Sequence, residues 1–269
     1  MKRTLRPAVS PGPSKTGDAV KDAIDKLSSR RVTPPWFRMT HEERQAADPE
    51  RFARDEAEWA AVEVQRTTEK LQRLDHQLGS RYVGATLESY VTTCDAQRVV
   101  LSALRDYADN MLAYGREGRG IVLYGSCGTG KDHLAGSLAR IAISRYRVSL
   151  EWIRGVDLYA RFRDAIRNDA SENEIIAPLV KVAVLAISDP LPPVGALTEF
   201  QAAALLRIVD ERYRRLRPIW TTINVASGEE ADRRLGAQVA DRLRDGALTL
   251  FCDWPSYRKA ATQARKAAA

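Results

Sequence analysis

From Arg81 onward, short apolar runs alternate with longer segments of helical periodicity. The apolar runs predict strands at residues 121–124, 148–153, 182–188, 219–224 and 247–252. The periodic segments predict helices near residues 95–114, 131–145, 156–167, 197–216 and 226–243. This alternation predicts an α/β fold: a mainly parallel five-stranded sheet flanked on both faces by helices.

The first 78 residues follow a different pattern. Residues 1–35 are rich in Pro, Ser, Lys and Arg and predict a basic, largely disordered tail. After Thr40 the chain is dense in charge and in good helix formers, with a break near Pro49. Beyond the break, a thin apolar stripe with roughly helical spacing predicts one amphipathic helix. The stripe consists of Trp59, Val62, Leu71, Leu74 and Leu78.

This stripe has two interpretations. It docks on a partner protein, or it packs on the neighbouring domain. We divide the chain into a tail (1–35), a helical partner-binding extension (36–78) and an α/β domain (79–269).

Composition adds few constraints. The 269 residues are 44% hydrophobic, enough for one substantial core with an appendage. No apolar run approaches the ~20 residues needed to span a bilayer, and the N-terminus lacks an apolar signal core, so we expect a cytoplasmic protein without a membrane partner. Three scattered cysteines do not form a disulfide framework or a zinc motif. The net charge of +7 suits a nucleic-acid partner, with a generically basic protein as the alternative.

The segment GIVLYGSCGTGKDHLA contains the most specific motif. Gly125 to Lys131 fits the phosphate-binding pattern G-x-x-x-x-G-K, between a predicted strand and a predicted helix. In such loops the backbone N–H groups form an anion nest and the lysine contacts the β- and γ-phosphates. The predicted nucleotide-binding residues are Gly125, Ser126, Cys127, Gly128, Thr129, Gly130, Lys131, Asp132 and His133.

Asp132 stands where the pattern requires Ser or Thr, whose hydroxyl usually binds Mg²⁺. Its carboxylate can reach the metal, but its charge also repels phosphates. A second acid, Asp189, follows the apolar run 182–188. Because ligands gather at the carboxyl ends of parallel strands, we predict that Asp189 holds Mg²⁺ directly or through water. The alternative is that Asp189 is an ordinary turn residue.

An ordered set of segments resembles the DnaC and IstB group of AAA+ ATPases. GSCGTGKDHLA is similar to the phosphate loop of this family, and LGSRYVGATLESY resembles the start of its ATPase domain. RPIWTTIN is similar to its sensor strand, QVADRLRDG to its arginine-finger segment and DWPSYR to its closing motif. The resemblance covers residues 78–258.

The resemblance implies roles for further residues. Asn224 would sense the γ-phosphate of ATP, and Arg242 would act as an arginine finger on nucleotide held by a neighbouring subunit of a homo-oligomer. Arg244 is the competing finger. With Lys131 and Asp189, Asn224 and Arg242 complete the predicted catalytic set.

The second motif of the family normally ends in two acids, the first for the metal and the second to polarise the attacking water. Here the letters are Ser188, Asp189 and Pro190. In the register we prefer, Asp189 is the metal acid and Pro190 occupies the water-activating position. In the other register, Ser188 replaces the metal ligand and Asp189 is the second acid. Under either register we expect slow hydrolysis, or hydrolysis that relies on another carboxylate such as Glu199.

The resemblance also implies partners. A DnaC-like protein binds ATP with Mg²⁺, single-stranded DNA and a replicative DNA helicase, whereas an IstB-like protein assists a transposase. A nucleotide-switched adaptor with no useful turnover is a third possibility. The expected DNA-contacting side chains, which are alternatively a solvated helix face with Phe162 in the core, are Arg145, Tyr146, Arg147, Arg161, Phe162, Arg163 and Arg167.

Overall fold

The computed structural model describes residues 49–258. The predicted tail of residues 1–35 lies outside the described residues, as do residues 36–48 of the predicted extension. None of the described helices is long and apolar enough to cross a membrane.

A five-stranded sheet forms the centre of the molecule, and every neighbouring pair of strands in it is parallel. The strands are β1 (Ile121–Gly125), β2 (Leu150–Arg154), β3 (Val184–Ser188), β4 (Ile219–Asn224) and β5 (Leu248–Phe251), in the spatial order β2-β3-β4-β1-β5. Gly125 is level with Asn224, and Ser188 is level with Thr222, so β1, β3 and β4 end at the same edge. The predicted fold class is confirmed.

Helices precede the sheet and connect its strands. They are α1 (Pro49–Leu78), α2 (Asp95–Asp109), α3 (Met111–Arg116), α4 (Lys131–Ser144), α5 (Gly155–Arg167), α6 (Glu172–Lys181), α7 (Glu199–Arg214), α8 (Gly228–Leu235) and α9 (Ala237–Arg244). The single helix predicted at 226–243 is two helices, because Gly236 lies between them with a φ of 87°. Helix α6 was not predicted; it is short and contains Pro178.

The core has one layer on each face of the sheet, as alternation along the strands requires. In β1, Ile121 and Leu123 face the layer formed with α1, α2 and α4. Val122 faces the opposite layer, which contains α5, α7, α8 and α9. The sheet is therefore covered on both faces and only its strand ends are free to form a site.

The two halves of α1 differ in their surroundings. Leu74 and Leu78 are buried in the same core layer as β1 and α4. Gln77 donates a hydrogen bond of 3.1 Å to Glu151 of β2. Val62 and Val64, by contrast, are 43% and 62% exposed. The C-terminal part of the apolar stripe therefore packs on the domain, while its N-terminal part remains accessible.

Candidate functional site

The phosphate loop connects the end of β1 to the start of α4. Its three glycines, Gly125, Gly128 and Gly130, have φ values of 145°, 85° and 88°. Residues with a Cβ atom rarely adopt such values. Close packing adds a second requirement at Gly125, where a Cβ atom would lie 2.3 Å from the carbonyl oxygen of Cys252. The loop is therefore held by its own backbone and by the segment after β5.

Three side-chain or backbone donors hold the outer side of this loop. The hydroxyl of Tyr90 and the indole Nε1 of Trp254 both donate to the carbonyl of Thr129, at 2.8 and 2.9 Å. The backbone N–H of Tyr257 donates to the carbonyl of Gly128 at 3.0 Å. We call Tyr90, Trp254 and Tyr257 the loop latch.

The loop latch bonds to carbonyl groups of the loop and leaves its backbone N–H groups available to bind a ligand. Within residues 49–258, none of the backbone N–H groups of residues 126–130 donates a hydrogen bond. The helix α4 begins immediately afterwards, so its positive end adds to the attraction for an anion. This geometry is that of the phosphate nest predicted from the sequence.

Lys131 is the first residue of α4 and is buried. Its Nζ donates to the carbonyl oxygens of Gly125 and Ser126 at 2.8 and 2.7 Å. Burial lowers the pKa of Lys131. The structure therefore places this cation inside the loop, where a bound phosphate would offset its charge.

Asp132 contacts the ends of two other strands. Its Oδ1 accepts hydrogen bonds from the hydroxyl of Ser188 at 2.9 Å and from that of Thr222 at 2.7 Å. Ser188 is the last residue of β3 and Thr222 lies in β4. Both bonds use the same oxygen, so Oδ2 of Asp132 takes part in neither.

Asp189 and Asn224 form a second contact at this edge. The Asn224 Nδ2 donates to Oδ2 of Asp189 at 2.7 Å, and the Asp189 N–H donates to the carbonyl of Thr222 at 2.8 Å. Burial raises the pKa of Asp189, and the charge of Asp132 acts in the same direction, whereas the bonds from Asn224 oppose the rise. The structure thus brings Lys131, Asp132, Asp189 and Asn224 to one edge of the sheet; their roles stay predictions.

These side chains fit a magnesium nucleotide. Mg²⁺ prefers oxygen ligands and is usually held by one or two carboxylates together with substrate phosphates. Asp132 and Asp189 supply carboxylates, and Ser188 and Thr222 supply hydroxyls. Within the described part of the chain, no group of three or more His, Cys, Asp or Glu side chains could hold a metal ion by itself. A metal here would therefore need the phosphates as ligands.

A cavity of about 250 Å³ adjoins the loop at Gly128 and Gly130. Tyr82, Tyr90 and Tyr257 line it. None of these three tyrosines was predicted to line the site, although all three lie in segments that resemble the family. His133 also lines the cavity, and its Nε2 lies 2.9 Å from the Thr86 carbonyl oxygen. The aromatic walls suit a nucleotide base.

The two candidate arginine fingers lie away from the loop. Arg242 precedes β5, so it stands at the edge where the strands begin, and its Nε is 2.9 Å from Asp210. Arg244 pairs with Asp232 at 2.8 Å. A cavity of about 370 Å³ lies beside Arg242 at this edge. Neither arginine is brought to the phosphate loop of its own chain.

Other predicted residues have ordinary structural surroundings. Phe162 is 1% exposed, so the alternative in which it lies in the core is confirmed and a contact with DNA bases is excluded. Arg145 pairs with Asp109 at 2.9 Å, and Arg147 contacts Thr67. Glu199 is exposed in the first turn of α7.

The remaining candidates for DNA contact are also on the surface. Arg161 lies 4.0 Å from Glu151, and Arg167 lies 3.9 Å from Asp164. Arg163 is exposed on α5, and Tyr146 is half-buried against the guanidinium of Arg145. These side chains form a mostly ion-paired surface.

A family profile and several solved structures resemble this chain. The profile described as IstB-like ATP binding protein matches residues 60–265. No curated protein matches the chain. The structure of the DnaC helicase loader is 22% identical in sequence, and the match covers 64% of this chain and 99% of that one with a TM-score of 0.57.

Two further structures show the same fold. The DnaI structure is 20% identical, with 66% of this chain and 93% of that one covered and a TM-score of 0.54. AMPPCP-bound DnaA from Aquifex aeolicus is 18% identical, with 70% of this chain and 55% of that one covered and a TM-score of 0.55. The chain therefore spans most of the DnaC and DnaI structures but about half of the DnaA structure. All three share the fold of this chain.

Proposed function

The chain belongs to the family of IstB-like ATP-binding proteins, and from this premise we propose that it is an ATP-dependent helicase loader of the DnaC type. In this proposal it binds ATP with Mg²⁺, single-stranded DNA and a replicative DNA helicase in the cytoplasm. The observation that carries the nucleotide part is the latched phosphate loop, with Lys131 buried against its carbonyls. The match to nearly the full length of the DnaC loader structure supports the loader part.

Binding of the nucleotide rests on three groups of residues. The N–H groups of residues 126–130 surround the phosphates, Lys131 supplies a positive charge, and the tyrosine-lined cavity receives the base. When bound with the nucleotide, Mg²⁺ neutralises charge on the β- and γ-phosphate oxygens. Asp132 or Asp189 is the carboxylate that would hold it. Asn224 ends β4 and donates a hydrogen bond to Asp189, and in this proposal it senses the γ-phosphate.

Hydrolysis needs an arginine finger, and no subunit places one at its own phosphate loop. Arg242 stands at the opposite edge of the sheet, so we propose that it acts on nucleotide held by a neighbouring copy in a homo-oligomer. A guanidinium there offsets charge that develops on the transferred phosphoryl group. Slow turnover by the isolated chain follows, because an isolated subunit lacks this group.

The exposed N-terminal part of α1 is the proposed helicase-binding element. Trp59 and Val62 lie three residues apart on one face of this helix, and Val62 is 43% exposed. Residues 71–78 are occupied by packing against the domain. The partner-binding function of the predicted extension is therefore confined to the part before residue 71.

A second candidate is an IstB-like transposition helper, favoured by the description of the family itself. A nucleotide-switched adaptor without useful turnover is a third. All three share the ATP site and differ in the partner. The partner therefore has to be identified directly.

A pull-down of the full-length chain with the replicative helicase of the same cell, with and without ATP, tests the loader proposal. We expect capture by the wild type and loss of capture when Trp59 and Val62 are both changed to Ala. Val64→Ala is the matched control, because Val64 is 62% exposed on the same helix but lies about 200° from Val62 around its axis. Failure of the wild type to capture the helicase in either nucleotide state, with capture of a transposase instead, would favour the transposition helper.

A further inference from the structure

Asp132 and Ser188 are hydrogen-bonded to each other, and compared with P-loop ATPases the acid and the hydroxyl have exchanged positions. In P-loop ATPases, Mg²⁺ is held by a Ser or Thr after the loop lysine and by an Asp at the end of a neighbouring strand. Here the residue after Lys131 is the acid, and the residue that ends β3 is the hydroxyl. The two side chains still meet, with Ser188 Oγ 2.9 Å from Asp132 Oδ1.

From this contact we propose that the metal-binding carboxylate of this protein has moved from the strand end to the first turn of α4. Asp132 is the metal acid, and Ser188 is the hydroxyl that orients it. This inference rests on the proposed binding of magnesium nucleotide. It replaces the preferred register of the sequence analysis, in which Asp189 holds the metal.

The hydrogen bonds around Asp132 support this role. Both Ser188 and Thr222 donate to Oδ1, which fixes the carboxylate while Oδ2 takes part in neither bond. Orientation of a metal ligand by such outer partners is a general feature of metal sites. The site still contains one carboxylate and one hydroxyl, as the usual pair does, but their positions in the sequence are reversed.

The neighbouring contact supports the same register. Asn224, the predicted sensor, donates to Asp189 at 2.7 Å and not to Ser188. With Asp132 on the metal, Asp189 is free to be the second acid of the motif, the group that polarises the attacking water. Pro190 then has no chemical role to fill; its carbonyl oxygen accepts a hydrogen bond of 3.0 Å from the Tyr159 hydroxyl.

A purely structural role for Asp132 makes a different prediction. An acid in the first turn of a helix is stabilised by the helix dipole, whether or not a metal binds. Under that alternative, removal of the carboxylate lowers the free energy of unfolding without changing the magnesium dependence of nucleotide binding. The two roles are separated by measuring both quantities on the same variants.

The test is a titration of the full-length chain with a fluorescent ATP analogue, once in EDTA and once in excess Mg²⁺. We expect Asp132→Ser to abolish most of the tightening caused by Mg²⁺, a loss of about tenfold or more. The double variant Asp132→Ser with Ser188→Asp restores the usual arrangement, and we expect it to regain the magnesium dependence. Mn²⁺ binding in the presence of ATP, followed by electron paramagnetic resonance, should show the same loss and recovery.

The control is Asp95→Ser, which removes an exposed acid from the first turn of α2. Thermal unfolding of each variant shows whether it is folded. Full magnesium dependence in folded Asp132→Ser overturns the inference, as does a folded double variant that does not regain it. Failure of the wild type to bind the analogue in either buffer instead refutes the proposed nucleotide-binding function, so the two failures are distinguishable.

Discussion

The indole Nε1 of Trp254 donates a 2.9 Å hydrogen bond to the backbone carbonyl of Thr129, which joins the segment after β5 to the phosphate loop. The hydroxyl of Tyr90 donates to the same carbonyl at 2.8 Å. Two donors on one acceptor fix the orientation of the peptide that joins Thr129 to Gly130. The segments that resemble the start and the closing motif of the ATPase domain therefore meet at the phosphate loop.

Loss of either latch donor should weaken nucleotide binding. Tyr90→Phe removes one hydrogen bond, and we expect a loss of about 1 kcal/mol in the free energy of unfolding. Trp254→Phe also removes part of a buried indole, so its loss should be larger. Because the loop becomes less ordered, affinity for ATP should fall as well, most strongly in the double variant. Denaturant unfolding and ATP titration measure the two effects. Tyr213→Phe, which removes a hydroxyl bond to Asp245 at the surface, should change neither quantity appreciably.

Gly128→Ala should reduce ATP affinity more than Gly84→Ala, although both glycines have a positive φ. Gly128 has a φ of 85°, and a Cβ atom would lie 2.1 Å from the Ser256 Oγ. Gly84 has a φ of 73° with nothing within 4 Å of its Cβ position. Both variants should lose about 1 to 2 kcal/mol from the left-handed backbone. Only Gly128→Ala should also displace the closing segment, and equal ATP affinity in the two variants would contradict this.

Thiol alkylation should report nucleotide binding. Cys127 is exposed within the phosphate loop, whereas Cys252 is buried and burial raises the pKa of its thiol to about 12. Because the thiolate is the reactive form and the Cys252 side chain is inaccessible to the reagent, Cys252 should stay unmodified at pH 8. We expect iodoacetamide at pH 8 to label Cys127 first and ATP to slow that labelling. Mass spectrometry identifies the site, and an unchanged rate with saturating ATP would argue against binding at the loop.

Arg212 should be a large contributor to stability. Its guanidinium is fully buried and donates to carbonyls at the end of α6 and before β3 and β4, including those of Leu179, Ala183 and Pro218. Burial lowers the pKa of Arg212 to about 9, which leaves it protonated at neutral pH.

Arg212→Met removes the guanidinium donor from each of these carbonyls, and we expect a loss of about 2 to 4 kcal/mol in the free energy of unfolding. Arg215→Met, at an exposed i,i+4 pair with Glu211, should lose about 0.5 kcal/mol or less. Denaturant unfolding of both variants measures the two losses. Equal losses would mean that the buried bonds contribute no more than the surface pair.

Arg242 should act in trans. We expect the ATPase rate per subunit to rise with protein concentration and Arg242→Ala to remove that rise. A mixture of Lys131→Met, which lacks the loop cation, with Arg242→Ala should recover activity, because each subunit supplies what the other lacks. Arg244→Ala in the same mixture separates the two candidate fingers. Activity of the wild type that is independent of concentration would count against a shared site.

The sequence predicted the sheet well because buried parallel strands are nearly continuous apolar runs. The run 219–224 coincides with β4, and 121–124 falls one residue short of β1. Helices were less accurate where local breaks matter. Gly236 separates α8 from α9, and periodicity alone did not reveal it.

By itself, the sequence determined the parallel α/β fold and the phosphate loop, since both depend on local patterns: apolar runs, glycine spacing and a following lysine. It did not decide whether Ser188 or Asp189 occupies the metal-binding position of the second motif. It showed Asp132 only as a departure from the Ser or Thr of the phosphate-loop pattern. The tertiary structure decided which of these side chains meet. Asp132 contacts Ser188 and Asn224 contacts Asp189 because separate parallel strands end at one edge of the sheet, a proximity that no spacing along the chain encodes.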